Sequence, residues 1–240
     1  MVNKRTHRSR PSGRHPSHRS AGRNGTERRS QAERRQQTRR ALLDAALDQM
    51  QAGISFDALS LRRVAHAAGV VPAAFYRHFA SMDELGLALV EDSVATLRSM
   101  LREAREDGPA PERVIERSVE ILFAHVREHR RHFAFMAQAR ASSNAVLRHA
   151  IGSETKLFAS ELATDLARFP VLREWSTADL QMLAGLFVDT MISAIDALLD
   201  PSATGAVPGP SPEAEARIAE LTEKRLRLIV LAIPHWKSRP

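Results

Sequence analysis

The sequence predicts an all-α fold, and three observations carry that prediction. Apolar residues recur at three- and four-residue spacing along most of the 240 positions, the period that lines them up on one face of a helix. No stretch alternates apolar and polar residues between turn signals, and β-branched runs are scarce. Punctuation falls where helices need it, with Ser, Pro and a capping box at starts and Gly or Pro at ends. With 43% hydrophobic and 26% charged residues, a wholly disordered or collagen-like chain is excluded. Cysteine is absent, which excludes disulfides, Cys-ligated metal centres and thiol nucleophiles. No apolar stretch follows the basic start, so no secretory signal is expected. The longest apolar run, Met182 to Leu199, is interrupted by Asp189 and Asp196. Each acid at the centre of a membrane span would cost roughly 2.5–3.5 kcal/mol, so this segment is read as a buried helix in a cytoplasmic protein with no membrane partner.

Residues 1–30 are rich in Arg, Ser, His, Gly and Pro and are expected to be a disordered basic arm. Residues 1–40 hold 13 Lys and Arg against Glu27 and Glu33, while the remaining positions hold 22 against 26 acids. A basic arm on a mildly acidic body attracts a polyanion through counterion release. A first helix runs from about Gln31 to Gln51, with Leu43, Leu47 and Met50 inward and Gly53 as its stop. A short helix, Leu61 to Ala68, follows Ser60 and closes at Gly69. A second begins at Pro72, a residue suited to the first helical position, and ends near Phe79. Ser81-Met-Asp-Glu84 reads as a capping box, and the helix it opens, 84–106, repeats Leu87, Val90, Val94, Leu97, Leu101 and Ala104 until Gly108-Pro-Ala-Pro111.

Ile115, Val119, Leu122 and Val126 mark a helix from Glu112 to Glu128. A short helix around Phe133, Phe135, Met136 and Ala139 comes next, then a longer one carrying Leu147, Ile151, Phe158, Leu162 and Leu166 that ends before Pro170. The last two, 177–199 and 213–233, carry apolar residues on wide or double faces: Met182, Leu186 and Ile192 stand beside a stripe from Leu180 to Leu198. One chain of this size cannot easily cover both, which predicts a homodimer packing them as a four-helix bundle.

Ser60 to Phe79 has the plan of a helix-turn-helix, in which the second helix enters the DNA major groove. Val64, Ala65, Ala68, Phe75 and Phe79 are expected inside, and Arg62, Arg63, Tyr76, Arg77 and His78 outside. The domain boundaries expected are 31–84 for this DNA-binding unit and 85–240 for a helical ligand-binding and dimerisation unit. Several features occur together: ALLDAAL in the first helix, SLRRVAHAAGV, then FYRHF and DEL. On them, the segment from Arg39 to Leu97 resembles the N-terminal domain of TetR-type bacterial transcription regulators. TRRALLDAAL, FYRHFASMDELGLALVEDS, LRSMLREAR and FASELATDL, between Gln37 and Leu166, are similar to the FabR/DesT-type fatty-acid biosynthesis repressors of that family.

The resemblance implies contacts with a palindromic double-stranded operator. Ser60 would cap its helix and meet a phosphate, with Leu61 and Arg62 beside it. Tyr76 and His78 would hold phosphates, Thr38 and Arg39 would reach the backbone, and Pro72, Ala73, Ala74 and Arg77 would face base edges. Ala73 and Ala74 replace hydroxyl residues common in the family, and Met82 stands where many relatives place a lysine, so weight shifts to Arg77 and the arm. Function on this reading is a repressor of (unsaturated) fatty-acid synthesis genes that responds to long-chain acyl-CoA or acyl-ACP. The alternative is a regulator of an efflux or catabolic operon sensing another hydrophobic molecule; coating of nucleic acid by the arm alone is a further rival.

Phe123, Phe133, Met136, Phe158, Leu162, Phe187 and Met191 would line a tunnel for an acyl chain, or simply fill a core. Arg140 and Glu154 are polar exceptions that either pair with each other or leave Arg140 for the head group of an acyl thioester. His125, His129 and His132 share a helical face, as a zinc site needs. Arg127, Arg130 and Arg131 surround them and no acidic ligand is expected in the same turn, so no metal and no cofactor are predicted. Neither a G-x-S-x-G elbow nor a glycine-rich phosphate loop is present, and no enzyme activity is expected.

Overall fold

The computed structural model describes residues 30–106, 113–200 and 210–238, and the side chains of all of these except 101–106. Expectations for the arm and for the Gly108–Pro111 stop lie outside the described residues. The described elements are helical: α1 (Gln31–Gln51), α2 (Leu61–Ala67), α3 (Pro72–Phe75), α4 (Met82–Glu106), α5 (Val114–Glu128), α6 (Arg130–Ala141), α7 (Ala145–Leu166), α8 (Thr177–Leu199) and α9 (Pro212–Ala232). Short 3₁₀ turns at Phe56–Ala58, Pro170–Leu172 and Ile233–His235 were not evident from periodicity.

Local chemistry explains most boundaries. Ser30 and Glu33 form a complete capping box at the start of α1. Asn144, Ser176 and Ser211 each accept an amide hydrogen bond at the starts of α7, α8 and α9. At α4 the expected box is modified: Ser81 accepts from the Glu84 amide, but the Glu84 carboxylate accepts from the amide of Ala80 rather than that of Ser81. The second short helix ends at Phe75, not near Phe79. Beyond it, Arg77 and His78 donate to carbonyls three residues back, so the chain tightens into a turn.

Apolar burial gathers in three clusters. The first joins Leu42, Leu43, Leu47 and Met50 of α1 to Val64, Ala65, Phe75, Phe79, Leu85 and Leu89, and continues into Phe135 and Ala139 of α6 and Leu147 and Ile151 of α7. The N-terminal unit therefore shares its core with two later helices. Gly86 makes that possible: a Cβ there would come within 2.8 Å of both Leu147 Cδ2 and Phe56 Cζ. The second cluster packs Met100, α5, Phe133, and the ends of α8 and α9; the third joins α7, α8 and Ile233.

Charges bridge the same junction. Arg40 of α1 donates to Asp92 of α4 at 2.7 Å and to Asp44 at 3.2 Å. Arg131 of α6 donates to Asp48 at 2.6 Å. The buried His132 ring sits between them, with Nδ1 3.2 Å from Ser93 Oγ and Nε2 3.9 Å from Asp92 Oδ2. The Ser93 hydroxyl donates to Leu89 O, so its oxygen is left to accept from His132 Nδ1–H; a neutral ring would then carry its proton on Nδ1.

Burial pushes the His132 pKa below the ordinary histidine value; Asp92 opposes this, while Arg40, Arg131 and His129 add to it. A depressed value means the unfolded chain takes up the proton first as pH falls. Its contribution to stability should be complete above about pH 6.5 and be lost as pH drops through and below that value. Urea unfolding between pH 7.5 and 5 should show this decline, and His132→Gln should flatten it; an unchanged pH dependence in the variant would contradict the assignment.

Candidate nucleic-acid interface

The interface is built on a turn that only a few sequences allow. Gly69 adopts φ +69°, donates to His66 O at 3.0 Å, and Val70 donates to Ala65 O at 2.9 Å. These two bonds close α2 in a Schellman arrangement whose left-handed residue favours glycine. Val71 is extended, Pro72 opens α3, and the chain reverses onto α2. Val64 and Ala65 on one side and Phe75 and Phe79 on the other are essentially inaccessible, at 0–1% exposure. Ala68, expected inside, is only half-buried.

Anchoring Phe75 and Phe79 turns the intervening residues outward. Tyr76 is 63% exposed, and Pro72, Ala73 and Arg77 are exposed beside it, while Ala74 and His78 are half-buried. Ser60 accepts the Arg63 amide at 3.3 Å, which leaves its O–H available as a donor at an exposed position. Arg62 is exposed as expected. Leu61 is half-buried, its side chain packed against the first cluster. Thr38 donates its hydroxyl to Arg34 O at 3.0 Å, an internal bond that engages the hydrogen a phosphate contact would use.

Positive charge concentrates at the contact between α1 and the end of α3. The Arg39 guanidinium lies over the Phe79 ring, 4.8 Å from its centroid, a cation–π contact that orients it. Burial lowers the His78 pKa, and Arg35, Arg39 and Arg77 lower it further. Its buried Nδ1 has no hydrogen-bond partner among the described residues. Arg35 was not singled out from the sequence; its position one helical turn before Arg39 was the available signal. Gln49 also escaped notice: it donates to Arg63 O at 3.2 Å and ties α2 to α1.

The eight residues expected to meet an effector are distributed. Phe123, Phe133, Phe187 and Met191 share the second cluster. Met136 packs against the first cluster and Leu162 against the third, and Phe158 is half-buried on α7. Arg140 does not pair with Glu154: it donates to both oxygens of Asp196 at 2.6 and 2.8 Å, and Glu154 accepts from Arg98 at 3.3 Å. A surface groove of about 490 Å³ between α5 and α9 is lined by Val119, Phe123, Ala216 and Ala219, with Arg127 and Glu215 at its edge. The histidine expectation also needs correction. His132 faces Ser93 and Asp92, and an acidic residue does stand in the turn, since Glu128 lies with His125 and His129.

The sequence profile of bacterial regulatory proteins, tetR family, matches residues 42–89, and that of the tetracyclin repressor-like C-terminal domain matches residues 111–230. An uncharacterized HTH-type transcriptional regulator of Haemophilus influenzae is 41% identical over 132 residues, which is 55% of this chain and 64% of that protein. The chain thus spans somewhat less than two thirds of that relative's length. A transcriptional regulator from Rhodococcus sp. Rha1 superposes with a TM-score of 0.60 at 22% identity, covering 82% of this chain and 96% of the other. A protein described as the fatty acid degradation regulator FadR from Bacillus halodurans gives 0.61 at 15% identity, covering 84% and 97%. At these identities the structural likeness establishes the fold. Family profiles over both the helix-turn-helix segment and the helices behind it show that this chain belongs to the TetR family, whose members are DNA-binding transcription regulators rather than enzymes.

Proposed function

We propose that the protein works as a homodimer that binds a palindromic operator through α3 and represses genes of unsaturated fatty-acid synthesis, its affinity set by a long-chain acyl thioester. The observation that carries the DNA-binding part is the exposed Tyr76–Arg77 pair held between two fully buried phenylalanines beside an arginine cluster. Arg77 is suited to the O6 and N7 acceptors of guanine, and Tyr76 and His78 to phosphates. Residues 31–84 act as the reading unit and 85–240 as the sensing and pairing unit. The basic arm, 1–30, adds phosphate contacts that do not depend on sequence.

Pairing is assigned to α8 and α9. Met182 and Leu186 on α8 and Leu221, Leu228 and Leu231 on α9 are 44–67% exposed, large apolar side chains left in water on two helices that pack together. By length and composition α8 could also cross a membrane, yet it packs between α7 and α9. A second copy covers its outer face on this reading.

For the effector, the second cluster is the favoured site, because Phe123, Phe133, Phe187 and Met191 of the expected lining meet there. The acyl identity rests on the resemblance of the segments between Gln37 and Leu166 to fatty-acid biosynthesis repressors. A ligand that favours one spacing of the two reading units over another shifts the population and so the affinity for DNA.

Selection of duplexes from a random pool by the full-length protein tests the DNA-binding part. It should return a two-fold symmetric consensus. Arg77→Ala should relax preference at one position in each half-site, a loss of about 1–3 kcal/mol of discrimination, whereas Tyr76→Ala should weaken all duplexes alike; enrichment of no consensus would overturn the reading. Anisotropy titrations on the selected duplex with palmitoyl-CoA and oleoyl-CoA test the sensing part. At least one should change the Kd, and Phe187→Ala should blunt the change. No change with either would overturn the acyl assignment and leave DNA binding standing.

A further inference from the structure

We propose that His125, Glu128 and His129, where α5 meets α6, form a binding site for a divalent transition metal of the zinc, nickel or cobalt kind. The inference stands apart from the DNA-binding reading. One imidazole nitrogen from each histidine and a carboxylate oxygen of Glu128 all lie within 4.8 Å of one another. The spacing His125-x-x-Glu128-His129 keeps its helical register through the end of α5, because the His129 amide still donates to His125 O at 2.9 Å. The two rings face each other with centroids 5.7 Å apart. Closing the three donors around one ion needs separations of about 3.4 Å, the edge of a tetrahedron with bonds of 2.0–2.1 Å. Glu128, whose side chain is 71% exposed, and the half-exposed His129 ring can shift toward the buried His125 to close these gaps.

Burial is graded as a site of this kind requires. His125 is 8% exposed and fixed in the core, His129 is intermediate and Glu128 open, so an ion can enter from solvent and meet an anchored ligand. Two imidazoles and a carboxylate suit borderline metals and disfavour magnesium and calcium, which prefer all-oxygen shells. A fourth position is left for water.

The arginines that crowd this segment in sequence each have a partner elsewhere. Arg127 donates to Glu215 at 2.6 Å, Arg130 to Leu198 O at 3.1 Å, and Arg131 to Asp48 at 2.6 Å. Each is drawn to a different helix, and Glu128 keeps a carboxylate oxygen 3.9 Å from His129 Nε2. His132, which shares the helical spacing, is occupied with Ser93 and Asp92 on α4 and is no part of the site.

Calorimetric titration of the full-length protein with zinc chloride tests this. Histidines elsewhere, including His7, His15 and His18 in the arm, can take up zinc too, so the difference between variants decides. The wild type should bind one equivalent more than His129→Ala, Glu128→Gln should weaken that equivalent at least about tenfold, and His149→Ala, an exposed histidine on α7, should leave it unchanged. Because the chain has no cysteine, His129→Cys adds a single thiolate, which should restore the equivalent and give a thiolate-to-Co²⁺ absorption band when cobalt is the probe. Superimposable zinc isotherms for wild type, His129→Ala and Glu128→Gln would overturn the proposal, as would a His129→Cys protein without that band.

Discussion

Everything presented to solvent around α3 depends on the burial of Phe75 and Phe79. A four-residue helix has no stability of its own, because nucleation alone costs more than one turn of hydrogen bonds returns. Burying each phenylalanine contributes about 1.5–3 kcal/mol, and the two fix both ends of the Tyr76-Arg77-His78 turn against α1 and α4. With those anchors set, the positions between them have only one direction to go. The left-handed Gly69 turn sets where the segment begins, and Arg39, stacked on the Phe79 ring, makes the same anchor serve the charge cluster.

The reading unit is not a bead on a string. Its core runs on into α6 and α7 through Phe135, Ala139, Leu147 and Ile151, and its first helix is held by Arg40 to α4 and by Asp48 to α6. On the proposed reading, a shift of α4 or α6 would carry α1 and α3 with it through this shared core. Occupancy of the second cluster, which includes Phe133 of α6, would reach α3 by that route. His132 stands at the same junction, bonded to Ser93 and facing Asp92.

Helix periods and caps made most of the fold legible in the sequence. The starts of α1, α2, α3, α8 and α9 fell within a residue of expectation, since apolar spacing and Ser or Pro signals are local. The buried and exposed sides of α2 and α3 were legible for the same reason, except at their edges, where Ala68 is less buried and His78 less exposed than expected. What stayed hidden was set by partners distant in sequence. Arg140 chose Asp196 and Arg98 took Glu154, each across 56 positions, and nothing local distinguishes those acids from nearer ones. Leu61 was read by its position at a helix start, but packing claimed its side chain. Glu128 stands three residues after His125, but helical spacing alone groups His132 with the other two histidines, and only the contacts of α4 show that His132 is held elsewhere.

The distance between the two α3 helices in the DNA-bound pair would test most directly that they enter successive major-groove turns. Nitroxide labels placed at the exposed Ala67 of each copy, on α2 beside α3 and outside the proposed contacts, on a selected duplex and read by pulsed dipolar spectroscopy, should give a narrow distribution that places the two α3 helices 34–36 Å apart or a whole multiple of that. A broad distribution, or one that places them away from whole helical turns, would contradict it.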